Sequence, residues 1–438
     1  VHPRPKIMLM AAALGAVGLA AGACGGGAVN DTSGAAAGGS GLTRNCPDNG
    51  TTGLTDTTIK LGLSQPLSGP YVSVGGQLYG MQAYFGYINS QGGIKGPDGK
   101  RRKVELVYKD DAYTATKAKA NVDQLINRDK VFALLGQFGT AGNLAARPVI
   151  AQQCVPSLFA TTGAPELANP KYPWAIAGSI SYMVEGRILG KYVRDTTPNA
   201  TVAVLEQDDD LGKAYRQGFD QAIAGSGVKV VKTETFEASD PDVKNQITTL
   251  AATKADLYFN ISSGLTGLQA LNHVHESGWK PQVIQVSQLP TPLLNKLQPG
   301  AGDKLILGTT GQDFTNPEVV RNSAEYQLYL QWLRRTPGAD KIDPISASLG
   351  WTQGRLFDWT VQHAKSMDRA GVMESARNLD YTGPTFTLPG IKIRTTPGDP
   401  HLLEGLRFHR FDRGKGHLVP FGEVIDIDGQ VKYEAVTG

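Results

Sequence analysis

Three cysteines, a His-x-His-Glu run and an Asp-Asp pair are the groups in this 438-residue chain whose types and spacing could do chemistry. Cys24 ends a distinctive run: basic Arg4 and Lys6, an uncharged stretch over residues 7–23, and the small residues Ala21, Gly22 and Ala23. A basic flank, a short apolar stretch and a small-residue exit mark residues 1–23 as an export signal peptide; a membrane span needs a longer apolar run. Gly15, Gly18 and Gly22 lie inside that leader and follow no strand, so they make no phosphate loop. His273 and His275 stand two apart beside Glu276. On a helix such residues point to nearly opposite sides and cannot chelate one ion, so the run reads as a surface helix end before Gly278. Asp110 and Asp111 could form an acid/base pair, but adjacent carboxylates on a strand-to-helix loop more often cap the following helix. The chain shows no Gly-x-Ser-x-Gly elbow, no Cys-His arrangement with a free thiol and no phosphate loop. No enzyme, no metal and no cofactor are therefore expected.

Where a soluble export signal would end in Ala-x-Ala, this leader ends at a thiol, which resembles the lipobox of bacterial lipoproteins. The resemblance implies a diacylglyceryl thioether on Cys24, cleavage just before it, and a lipid anchor at the outer face of the cell membrane. Residues 24–56 then form the lipidated cysteine and a flexible linker, since residues 25–41 are rich in Gly, Ala and Ser and cannot bury a core. Cys46 and Cys154 remain as a pair in an oxidising compartment, where a disulfide persists. Such a bridge would pin the stalk to the body and stabilise it by roughly 2–4 kcal/mol. Sequence gives no distance between the two thiols, so bridged and free forms both stand at this point.

Lys plus Arg exceeds Asp plus Glu by only 43 to 40, which leaves no electrostatic footprint for nucleic acid. Hydrophobic content of 40% and charged content of 19% are those of a globular chain long enough for two cores. After residue 24 no apolar run is long enough to span a bilayer, against a transmembrane receptor or permease.

The elements that must position any site alternate between strand and helix. Residues 59–63 alternate apolar and polar before Pro66, Gly69 and Pro70; Leu78, Met81, Phe85 and Ile88 then recur at helical spacing up to Gly92 and Gly93. Strands are predicted over 104–108, 131–135 and 156–160, with helices over 115–128 and 142–153. A second set begins near Tyr182, with strands over 201–205, 229–236, 255–261 and 282–286 separated by helices. Such alternation means βαβ units and parallel sheets, so the fold class is α/β with two doubly wound lobes. The tail adds short β-like pieces over 391–394, 405–411 and 423–427 to the second lobe. Ligands of such sheets sit beyond the carboxyl ends of the strands, which gathers the loops after Leu63, Leu135, Ala160, Leu205, Ile261 and Val286 around one cleft.

Several segments resemble one family, the leucine/isoleucine/valine-binding proteins, which are type I solute-binding proteins of ABC importers. Ile59-Lys60-Leu61-Gly62 with Pro66-Leu67-Ser68-Gly69-Pro70 resembles its first strand and loop; Ile88-Asn89 with Gly92-Gly93-Ile94 resembles the end of its first helix. Asp110-Asp111-Ala112 and Gly163-Ala164-Pro165-Glu166-Leu167 resemble two further loops. The resemblance implies two lobes joined by three crossover strands near 177–178, 309–311 and 383–387. Lobe 1 would comprise 57–177 and 311–383, and lobe 2 would comprise 178–310 and 384–438. It also implies closure on a small ligand by a hinge motion, ABC permease subunits as partners, and a monomer.

In that family a hydroxyl and backbone N–H groups of the first lobe hold the ligand's carboxylate. The matching positions are Thr140 and the run Thr161-Thr162-Gly163, with Tyr71, Val74 and Phe138 on neighbouring loops. The second lobe departs from the family. Where amino-acid binders grip the ammonium with a glutamate, this chain has Ser287 followed by Gln288, and expected aromatics are replaced by Leu211 and by Ser263 or Gly264. Burying an ammonium without its counter-charge costs on the order of 3–5 kcal/mol. Asp210, in the run Asp208-Asp209-Asp210, could restore a carboxylate, although a solvated acidic loop is the plainer reading. The expected ligand therefore carries a carboxylate or other polar head without an essential α-amine: an organic or aromatic acid, an amide, or an amino-acid-like relative. Trp351 could line the cleft or fill the core. Beside the transport reading stand a ligand-sensing subunit built on the same fold and a secreted hydrolase, for which no nucleophile is visible.

Overall fold

The structure, a computed structural model, describes Leu42, residues 46–69 and residues 71–436, without the side chains of Ser73 and Val74. The leader, Cys24 and the Gly-rich stretch over 25–41 lie outside the described residues. No helix among those described is long and apolar enough to cross a membrane.

The first sheet contains β1 (Thr58–Gln65), β2 (Ile94–Lys95), β3 (Arg101–Asp110), β4 (Ala133–Leu135), β5 (Ser157–Ala160) and β6 (Ala175–Ala177). They lie in the order β2-β3-β1-β4-β5-β6, parallel except for the edge strand β2. Helices cover both faces, so central strands have no solvated side. Ile59, Leu61, Leu63 and all of Ala133–Leu135 are fully buried. The second sheet contains β7 (Thr201–Gln207), β8 (Lys229–Phe236), β9 (Leu257–Ile261), β10 (Gln282–Gln285), β11 (Leu305–Thr309), β12 (Gly405–Asp412) and β13 (His417–Asp426). Its order is β13-β12-β11-β10-β9-β7-β8, parallel from β8 to β11 and antiparallel across β11, β12 and β13. Strand order reverses beside β1 and beside β7, and a doubly wound sheet opens its binding crevice at such points.

The chain passes between the lobes near Gly178, whose amide donates to Ala160 O at 2.7 Å, and again where Gly311 and Thr387 pair as an antiparallel bridge. After the second sheet it returns to the first. Helix Pro344–Gln362 lies on helix Gln77–Ser90 so closely that a Cβ on Gly80 would sit 1.8 Å from Ala347 O. A Cβ on Gly350 would sit 1.9 Å from Gln77 O. Trp351 is buried in this seam, 5.1 Å from the Tyr84 ring, and belongs to the core rather than to the cleft.

Three expectations change. Residues 391–394 form no strand beyond one bridge from Arg394 to Asp380, because Ile391 N turns back to Leu388 O while Arg394 N donates to Leu402 O. Strand β11 and helix Pro344–Gln362 went unassigned. The C-terminal part of the expected linker, residues 46–56, is fastened to the body: Cys46 and Cys154 form a disulfide with their Cα atoms 5.6 Å apart, and Arg369 N donates to Gly50 O at 2.8 Å.

Candidate functional site

Beyond the ends of β1 and β3 two loops are locked together by the Asp-Asp pair. Asp110 Oδ1 accepts from Leu67 N and Ala112 N, both at 2.9 Å; Asp111 accepts from Tyr113 N and from Ser64 Oγ, each at 2.8 Å. These carboxylates therefore act as loop fasteners, and burial pushes the Asp111 carboxyl up. They hold Ala112 and Tyr113 at φ of 48° and 59°, a left-handed backbone that side chains seldom adopt. The outcome is an aromatic shelf: Tyr71 stacks on Tyr113 with ring centroids 3.9 Å apart, and Phe138 stands 5.8 Å from Tyr113. Gly139, at φ 87°, makes room for this shelf, since a Cβ there would lie 2.8 Å from the Tyr113 ring.

A second aromatic pair lies in the other lobe. Tyr182 and Tyr215 stack at 4.9 Å, carried by helices Tyr182–Thr196 and Asp210–Ile223. Tyr182 is tied to the first lobe's hydroxyls: Thr162 Oγ1 lies 2.8 Å from Thr140 Oγ1 and donates to Tyr182 Oη at 3.3 Å. Tyr182 N donates to Gly163 O at 2.8 Å, and a Cβ on Gly163 would collide with Ile180 O at 2.1 Å. Burial pushes the Tyr71 and Tyr113 hydroxyls up, and the charge of Asp209 adds to this at both.

Thr161 takes no part in the expected trio. Its hydroxyl donates to Gln77 Oε1 at 2.6 Å and accepts from Gln353 Nε2 at 2.9 Å, turned into the first lobe. Neighbouring residues of an extended segment face opposite ways, so Thr161 and Thr162 cannot both reach one ligand. Ser263 precedes helix Gly264–Glu276 and donates to Gln207 Oε1 at 3.3 Å, and Leu211 is buried in the first turn of its own helix. The Val74 side chain and Cys24 lie outside the described residues.

A buried carboxylate stands behind Ser287, but on a separate element. Glu185, fully buried on helix Tyr182–Thr196, accepts from Ser287 N at 2.6 Å, from Ser287 Oγ at 2.7 Å and from Tyr215 Oη at 2.7 Å. Gln288 Nε2 completes the cluster, donating to Tyr215 Oη at 3.3 Å. Burial pushes the Glu185 carboxyl up to about 7 despite the hydrogen bonds from Ser287 and Tyr215. The signal was present in Tyr182-Met183-Val184-Glu185-Gly186-Arg187-Ile188-Leu189: an acid on the same helical face as Tyr182, Ile188 and Leu189.

In the acidic loop the three aspartates have different surroundings. Asp208 is exposed and 3.8 Å from Lys213, while Asp209 caps its helix by accepting from Leu211 N at 3.0 Å and Gly212 N at 3.2 Å. Asp210, the first residue of that helix, is half-buried, and its charge helps raise the Glu166 carboxyl of the first lobe after burial. His273 pairs with Asp242 and Glu276 while the His275 ring lies against Gly300, so the two imidazoles diverge. A cavity of about 290 Å³ lined by Leu271, Trp279 and Lys304 shares no residue with the cleft.

A family model described as periplasmic binding protein matches residues 58–415. The leucine-, isoleucine-, valine-, threonine- and alanine-binding protein of Pseudomonas aeruginosa is 25% identical over 362 residues, covering 82% of this chain and 85% of its own. A branched-chain amino acid ABC transporter protein from Thermus thermophilus with bound valine superimposes with a TM-score of 0.73 at 18% identity, covering 86% of this chain and 98% of the other. A solute-binding protein of an ABC transporter from R. palustris in complex with benzoate gives a TM-score of 0.67 at 20% identity, covering 85% and 98%.

Proposed function

This chain belongs to the periplasmic binding protein family, and from that premise we propose that it captures a small organic acid between its lobes and presents it to an ABC importer. The arrangement that carries the ligand class is the pair of aromatic stacks, Tyr71 on Tyr113 and Tyr182 on Tyr215, set either side of the Thr140 and Thr162 hydroxyls. A carboxylate taking a hydrogen bond from Thr140, and one from Thr162 in place of its long bond to Tyr182 Oη, gains about 1.5–3 kcal/mol from each before that bond's loss. An aromatic ring on the shelf adds about 0.5–1.5 kcal/mol beyond its burial. Micromolar binding needs about 8 kcal/mol, which a few such contacts with apolar burial reach. Glu185 argues against an ammonium in the second lobe, because Ser287 and Tyr215 already engage its oxygens. Valine and benzoate, the ligands of the two structural neighbours, share a carboxylate and differ in the amine. The cleft described here favours the second kind.

In this proposal the protein is an extracytoplasmic lipoprotein anchored through Cys24, a monomer that does no chemistry on its cargo. Its lobes comprise 57–177 with 311–383 and 178–310 with 384–438, and its closed shape is what permease subunits recognise. A ligand that binds only the folded state raises the melting point as the logarithm of its excess over Kd. A thermal-shift panel of aromatic acids, aliphatic acids, amides and amino acids tests the proposal. Aromatic or organic acids should shift the transition; tight calorimetric binding of leucine or valine would overturn the ligand class. Failure of labelled palmitate to enter the protein in cells would separately remove the anchor.

A further inference from the structure

The hairpin of β12 and β13 begins at Gly405 and pairs that residue with Asp426, so the segments just outside both ends meet at one edge of the second sheet. Asp399, Glu404 and Asp428 converge there, one oxygen of each lying within 4.8 Å of the others. Glu404 is only 2% exposed. Its Oε2 accepts from Gly429 N at 2.8 Å, but its buried Oε1 meets no donor. Asp399 accepts from the His401 amide through Oδ1 at 3.2 Å, and Asp428 accepts through Oδ2 from Arg394 at 2.6 Å and Lys392 at 3.2 Å. An orphaned carboxylate oxygen in a buried position, facing other carboxylates, calls for a positive partner.

We infer that Asp399, Glu404 and Asp428 form a site for a hard divalent cation, Ca²⁺ by preference, which fastens residues 396–404 to the end of the β12–β13 hairpin. The donors are carboxylate oxygens without a thiolate, which suits Ca²⁺ rather than a soft metal. Calcium takes oxygens at about 2.3–2.6 Å, so two ligands of one ion lie up to about 5 Å apart, in keeping with this spacing. Arg394 and Lys392 pair with Asp428 Oδ2, and Lys392 also lies 3.5 Å from Asp426, while among the described residues no cation pairs with Glu404 or Asp399. Neither the ligand nor the interlobe cleft enters this inference, so it stands or falls apart from the transport reading.

The test is calorimetric titration of CaCl₂ into the purified protein after EGTA treatment, with thermal unfolding alongside. One Ca²⁺ should bind with Kd of about 0.1–1 mM, the melting point should rise and saturate over the same range, and Mg²⁺ should act more weakly. Glu404→Gln and, separately, Asp399→Asn should each weaken Ca²⁺ binding about tenfold or more while circular dichroism stays native. If Glu404→Gln fails to fold, Asp399→Asn supplies the comparison. Absence of saturable Ca²⁺ binding in the native protein, or binding unchanged in Asp399→Asn, overturns the inference. A melting point that follows pH but ignores Ca²⁺ overturns it too, and assigns the pair a shared proton instead.

Discussion

Ser287 donates twice to Glu185, its amide to Oε1 at 2.6 Å and its hydroxyl to Oε2 at 2.7 Å, although 102 residues separate them. The clamp holds a carboxyl whose ordinary value of 4.5 is raised to about 7 by burial. Between those two values the folded state binds the proton more tightly than the unfolded chain, so stability falls as pH rises through this window. Glu185→Gln should match the native protein near pH 5 and exceed it by on the order of 3 kcal/mol near pH 8, read by urea unfolding at both. A gain that is the same at the two pH values would show that the carboxyl does not titrate in this range.

The shelf of Tyr71 on Tyr113 predicts a loss of binding that leaves the fold standing. Tyr113→Ala should reduce affinity for an aromatic acid by about tenfold, the equivalent of 1.4 kcal/mol, with a smaller effect on an aliphatic acid of similar charge. Equal losses for both ligands would mean that Tyr113 shapes the loop rather than contacting the ring.

Gly163 lies where the first passage between lobes begins, and the obstacle to a side chain is space, since Ile180 O and the Tyr182 ring occupy the position of its Cβ. Gly163→Ala should cost about 1–3 kcal/mol of stability through overpacking and weaken ligand binding by moving Tyr182. Native melting temperature and native affinity in the variant would contradict the closeness of this approach.

Arg369 sits beside the disulfide and does related work. Its guanidinium donates to Phe132 O at 3.0 Å, to Val131 O at 2.9 Å and to Gln153 O at 3.4 Å, and lies 3.3 Å from Asp48. Cys154→Ala with Cys46→Ala should lower stability by roughly 2–4 kcal/mol, and Arg369→Ala by on the order of 3 kcal/mol by stranding buried carbonyls. Because both fasten residues 46–50 to the same corner, the combined variant should lose less than the sum in a denaturant-unfolding cycle. Strict additivity would show that the two act on separate parts of the body.

The strand and helix order as far as Gln285 was legible apart from the short edge strands β2 and β6, because burial on both faces demands unbroken apolar runs, as in Val131-Phe132-Ala133-Leu134-Leu135. Helix Pro344–Gln362 was not, because its buried face carries the polar residues Gln353 and Asp358, whose partners Phe159 O and Tyr84 come from distant elements. Matching loops brought Thr140 and Thr162 together, their hydroxyls 2.8 Å apart. They could not separate Thr161 from Thr162, which depends on which way each side chain leaves the backbone. Glu185 stayed hidden for a different reason: its role requires Ser287 and Tyr215, brought to it by two other elements of the lobe.

The contact of Gly80 with Ala347 has a bearing on how the protein is made. Helix Gln77–Ser90 is synthesised early, yet the surface that shields it emerges from the ribosome some 270 residues later. The nascent N-terminal half must therefore wait with its seam uncovered, a state open to misassembly and in need of chaperone protection. If the chain is exported unfolded, as the proposed function implies, maturation cannot finish until nearly the whole polypeptide has crossed.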